Sequence, residues 1–188
     1  MPPRPPAAIH AARRWPGGFR ASLHAASDTE QVRGEVRVVP RAAPQVVLHG
    51  PPSPLGAWAR AHAAAMAGEG PPWALGDAGP DVSTVHRVDD EGAPVEVVRT
   101  AGPVRVMVSV LDRVAARDGW LPRAFTVAHW DLSTRRLRRV DMHRDEHAVV
   151  GGAVVPTRRR VVIATDSGAE LRHVTLTDHA RTDARGAA

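Results

Sequence analysis

An antiparallel β protein with one short helix is the architecture these 188 residues lead one to expect, on three observations. Val-rich runs recur along the chain, at residues 32–39, 45–48, 82–88, 95–98, 104–111, 124–129, 148–155, 160–165 and 170–176. Several alternate apolar with charged residues, as in Glu35-Val36-Arg37-Val38 and Val104-Arg105-Val106-Met107-Val108. A period of two gives a strand one buried and one wet face, the pattern of antiparallel sheet. Turn-forming clusters punctuate the runs: Asp89-Asp90-Glu91-Gly92, Asp118-Gly119, Asp131-Leu132-Ser133-Thr134 and Asp166-Ser167-Gly168. One stretch departs from this pattern. Residues 55–68, LGAWARAHAAAMAG, are rich in Ala and close on Gly, which predicts a helix.

The length fits one domain, placed at residues 19–176. Residues 1–18, MPPRPPAAIHAARRWPGG, carry Pro and Arg but no acid and no apolar run of the kind a secretory signal needs, and read as a flexible basic arm. Residues 177–188 are small and polar and read as a disordered tail. No stretch approaches the ~18 apolar residues of a spanning helix, so the expectation is a cytoplasmic protein without a membrane partner. All 25 basic residues are Arg, and Lys, Asn, Tyr and Cys are absent, a composition that points to the base content of the gene. The absence of Cys removes disulfides, thiolate metal sites and thiol nucleophiles. The net charge of +5 permits polyanion binding.

The motifs argue against catalysis. His143-Arg144-Asp145-Glu146-His147 satisfies H-x-x-E-H, in which two helical His hold zinc and the Glu activates water. Its flanks, LRRVDM and AVVGGAVV, read as strands, which leaves the pentapeptide as a charged surface turn, His143, Glu146 and His147 as a weak metal candidate, and a metal-dependent hydrolase as a distant third functional reading. The same residues open with His-Arg-Asp, but position 150 is Val where a kinase loop needs Asn. No glycine-rich phosphate loop and no G-x-S-x-G elbow occurs. The expectation is a protein that is not an enzyme and needs no cofactor.

The segment from Phe125 repeats a pattern found upstream. A strand ends in Trp130-Asp131, a turn follows, then an Arg/Leu strand, His143, two Val-rich strands, Thr165-Asp166-Ser167-Gly168 and a last strand. Positions equivalent to the Trp fall at Val39, His86, Trp130 and Val174, spaced 47, 44 and 44 residues apart. This order resembles a short, degenerate member of the WD-repeat family, whose repeats are four-stranded blades of a β-propeller. The resemblance spans roughly residues 20–176 and is carried by one intact Trp-Asp pair. It implies that Trp130, Asp131, His143, Thr165 and Asp166 form a structural hydrogen-bonded set. It further implies a non-enzymatic scaffold presenting blade-end loops to a protein partner, with a second copy completing the ring. A β-sandwich or barrel carrying the Ala-rich helix accounts for the same strand pattern.

A second functional expectation comes from charge. Arg135, Arg136, Arg138, Arg139, Arg144, Arg158, Arg159 and Arg160 lie within 26 residues. Arg binds phosphate in a forked geometry and stacks on bases, and Trp120 or Trp15 could supply a stacking platform. The alternative function is therefore a basic β domain that binds single-stranded or duplex nucleic acid.

Overall fold

The structure is a computed structural model that describes residues 18–40, 42–68, 82–90, 92–116, 119–150 and 152–182. All but the last residue of the basic arm, with Trp15, lie outside the described residues, as does Trp73. Among the described residues ten strands form: β1 (Phe19–Ala26), β2 (Gln31–Val38), β3 (Gln45–His49), β4 (Val82–Val88), β5 (Pro94–Ala101), β6 (Val104–Ala116), β7 (Gly119–Asp131), β8 (Arg136–Val150), β9 (Ala153–Thr165) and β10 (Gly168–Arg181). The described residues hold one helix, α1 (Pro54–Ala67), between β3 and β4 in the sequence.

All ten strands belong to one antiparallel sheet in the order β3-β2-β1-β10-β9-β8-β7-β6-β5-β4. Consecutive strands pair throughout, except that β1 pairs with β10 and leaves β3 and β4 as the two edges. The sheet is not closed, and the strands are not divided into separate four-stranded sheets. In this sheet the four repeat-equivalent positions differ: Val39 follows β2, His86 and Val174 lie within β4 and β10, and Trp130 is the penultimate residue of β7.

The expected helix is present. Ser53 caps it, its Oγ accepting from the Gly56 amide at 3.0 Å, and Pro54 occupies the first turn where its missing N–H costs nothing. The amide of Gly68 closes the last turn on the Ala64 carbonyl at 2.8 Å. Leu55, Trp58, Ala59, Ala63, Met66 and Ala67 are buried. This stripe lies over the face of β1, β2, β9 and β10 that carries Phe19, Leu23, Val36, Val38, Val161, Ile163, Val174 and Leu176, forming the main core. We call this helix-covered face the inner face. A second cluster of Val97, Val108, Phe125 and Val127 continues it across β5, β6 and β7.

Three boundaries differ from expectation. β1 was not among the expected strands; its FRASLHAA lacks β-branched residues and is held in the sheet by ladders on both sides. The run at 148–155 is not one strand: Val150 pairs with Ala153, and Gly152 at φ 82° sits in the two-residue turn between β8 and β9. β10 continues through Arg181, so residues 177–181 are strand, and residues 183–188 of the expected tail lie outside the described ones. No helix among the described residues is long and apolar enough to cross a membrane.

Candidate functional site

The eight arginines do not act as one cluster. Arg135 and Arg136 are exposed at the β7–β8 hairpin, Arg135 in the left-handed region at φ 55°. Arg138 donates to Asp131 at 2.7 Å, and Arg139 forks onto Asp141 at 2.5 and 2.7 Å. Arg159 points inward and is fully buried, donating through Nε and Nη2 to both carboxylate oxygens of Asp145 at 2.7 and 2.6 Å. Arg144, Arg158 and Arg160 remain on the opposite, outer face. Trp120 lies four residues before Ala124, the β7 residue paired with Arg144, and the Arg113 guanidinium sits 4.7 Å over its ring.

Register arranges the outer face in rows. Arg144 pairs with Arg160 and Arg160 with His173, a row of three basic side chains across β8, β9 and β10. Two residues along each strand runs a second row, Met142, Val162 and Leu171, exposed at 53%, 36% and 45%. On the other flank Arg158 stands opposite Glu146 and Thr175. Arg158 is half-buried and its Nε has no partner. Burial first, then the charges of Arg158, His24 and Arg160, hold His173 below the ordinary imidazole range.

The pentapeptide at 143–147 is not a turn; it lies within β8. His143 and Asp145 face inward and are buried, whereas Glu146 is exposed on the outer face. A strand turns successive side chains to opposite faces, so the helical convergence that H-x-x-E-H requires does not arise. Among the described residues no three His, Asp or Glu side chains group as a metal-binding set.

The repeat-derived set is likewise dispersed. Asp131 organises the β7–β8 turn, accepting from the Ser133 and Thr134 amides at 2.9 and 3.1 Å and from the Ser133 hydroxyl at 2.5 Å. These bonds, with Arg138, hold its carboxyl well below the usual range. Thr165 hydrogen-bonds Ser167 at 2.8 Å around the β9–β10 turn that contains Asp166. Trp130 is the last residue but one of β7, and His143 stands apart from both turns, its ring among other aromatic groups.

Those groups form a stack that the sequence reading missed. Arg172 lies 5.7 Å over Trp58, whose ring is 4.3 Å from that of His62. His62 lies 5.5 Å from His143, His143 stacks on Phe125 at 4.4 Å, and Arg159 lies 5.5 Å over Phe125. One continuous stack thus runs from β10 through α1 and β8 to β7 and β9. Each end carries a guanidinium forked onto a carboxylate, Arg172 on Glu170 and Arg159 on Asp145. Burial, reinforced by Arg159, Arg139 and Arg172, pushes His62 down to about 3. Burial, then Arg159, His62, Arg139 and His129, pushes His143 down to about 2. Both imidazoles are therefore neutral at physiological pH, and His62 Nδ1, His143 Nδ1 and Trp58 Nε1 are buried without hydrogen-bond partners. Compared with family models and with curated proteins, the chain matches none.

Proposed function

We propose that the protein is a non-enzymatic binding module whose outer sheet face takes single-stranded nucleic acid. The observation that carries this reading is the juxtaposition of two rows on a face that no described element covers: Arg144, Arg160 and His173 beside Met142, Val162 and Leu171. Neighbouring strands lie ~4.8 Å apart, so each row extends about 10 Å across three strands. A nucleic-acid strand laid along the rows sets phosphates over the guanidiniums and unpaired bases over the apolar side chains. Forked N–H donors suit phosphate oxygens, and Arg158 widens the cationic border. A duplex hides its base faces and gains nothing from the apolar row, so the single strand is the favoured ligand.

Fluorescence anisotropy with a labelled single strand and the matching duplex, at about 50 and 200 mM salt, tests this. The single strand should bind more tightly and lose at least about tenfold in affinity across that range. The double variant Arg144→Gln/Arg160→Gln should weaken binding by about 10- to 100-fold and flatten the salt dependence. Arg135→Gln/Arg136→Gln at the hairpin should change it by less than about threefold. Absence of binding to either oligonucleotide at low salt overturns the proposal and leaves the face to a protein partner, the scaffold role that the WD-repeat resemblance implies.

A further inference from the structure

The sheet ends at β4, and that edge has a self-complementary sequence. β4 pairs with β5 on one side; on the other, no described strand meets it. Six of its seven residues are exposed, Val85 at 61% and Val88 at 42%. An unpaired edge presents a row of free N–H and C=O groups, which proteins blunt with Pro, Lys, bulges or covering segments. β4, VSTVHRV, contains neither Pro nor Lys, and the one irregularity in its ladder falls at its last residue, between Arg87 and Val88.

We infer that β4 pairs antiparallel with β4 of a second copy, about a two-fold axis through Val85, to make one continuous twenty-stranded sheet. Val occupies positions 82, 85 and 88, so the strand has the same apolar pattern from either end. In this register Val85 meets Val85 of the second copy, Val82 meets Val88, Thr84 meets His86 and Ser83 meets Arg87. No like charges stand opposite one another, and Arg87 keeps its own Glu96, 3.7 Å away. A two-fold axis normal to the sheet keeps each outer face on the same side and allows only registers centred on a residue. Centring on Thr84 or His86 leaves part of the strand unpaired and breaks the Val-to-Val match.

The outer face supplies a second reason for the Val85 register. Val85 begins a cross-strand row that continues through Val98, Met107, Ala128, Val140, Ala164 and Ala169, seven strands of small or apolar side chains. Pairing at Val85 joins the rows of the two copies end to end, so an apolar contact replaces a terminus exposed to water. The other edge, β3, is only five residues long, and joining it to β4 of another copy would propagate an open chain rather than close a pair. The pairing uses neither Arg144 nor Arg160 and stands apart from the nucleic-acid proposal.

The chain contains no Cys, so a single introduced Cys reports on its own symmetry mate. Directly opposed antiparallel residues have Cα atoms about 4.5–5.5 Å apart, within disulfide reach. Val85→Cys should therefore form a covalent dimer under mild oxidation. Ser83→Cys should not, because its mate lies four residues along the strand, about 14 Å away. Sedimentation of the unmodified full chain between about 1 and 500 µM, a range suited to a small interface, should show a monomer–dimer equilibrium that stops at two. Val85→Arg should shift the species to monomer with an unchanged circular dichroism spectrum. A chain that stays monomeric throughout, assemblies growing past two copies, or Ser83→Cys cross-linking as readily as Val85→Cys would each overturn the inference.

Discussion

Arg159 and Asp145 are the most consequential charged pair in the protein, because both are nearly inaccessible to water and face each other across the β8–β9 ladder. Taking one carboxylate away leaves a guanidinium in the interior without its counter-charge, a situation that costs about 3–5 kcal/mol. Asp145→Ala should lower the free energy of unfolding in urea by that amount. Replacing the pair together, Arg159→Met with Asp145→Leu, should cost much less, because two desolvated charges leave together. The same strand explains why the interior of the candidate site was not legible in the sequence. In β8 the inward residues are Asp141, His143 and Asp145, while Val140 and Met142 face out. Reading polar as wet assigns this strand to the wrong face, and the guanidiniums of Arg159 on Asp145 and Arg139 on Asp141 make the inverted pattern tenable. Trp58 and His62, four residues apart on a predicted helix, were visible as one helical face; what lay opposite them was not.

At the level of elements, β2 and β3 approach so closely that residue 34 has no room for a side chain. A Cβ on Gly34 would stand 2.1 Å from the Val47 carbonyl oxygen and 3.0 Å from the Leu48 Cδ2 atom. Backbone cannot yield as a flexible side-chain end would, so Gly34→Ala should destabilise by at least about 2 kcal/mol, read as a fall in the thermal midpoint. The hairpins from β4 to β10 were largely readable because turn residues and Val-rich alternation agree there, and α1 was readable from its Ala content and closing Gly. β1 was hidden because Ala, Ser and His have weak strand preference. Its conformation is imposed by two neighbours that are remote in sequence, information no local window contains.

Across the whole molecule, the stack of Trp58, His62, His143 and Phe125 binds the helix to the sheet through groups that must remain uncharged. Their folded-state affinities for protons lie below that of an exposed imidazole, near 6.5, so the unfolded chain takes up protons that the folded one refuses. Stability is therefore fully present above about pH 6.5 and falls as the solution is acidified toward pH 3. The slope approaches about 1.4 kcal/mol per pH unit for each group. Thermal midpoints taken between pH 7 and 5 should drop with a loss of about 2 kcal/mol per histidine, and His143→Phe, which keeps a stacked ring, should halve the dependence. The pairing of Phe19 with Arg181 has a different consequence, one concerned with synthesis. β1 can complete its ladder only against β10, and the helix shares its core with Val161, Ile163, Val174 and Leu176 of β9 and β10. While the chain is still emerging from the ribosome, β1 lacks one of its two neighbours and α1 lacks the part of its core that β9 and β10 supply. Folding of this domain must therefore wait until β10 has been made, and a chain stopped before β10 should be left for chaperones or proteases.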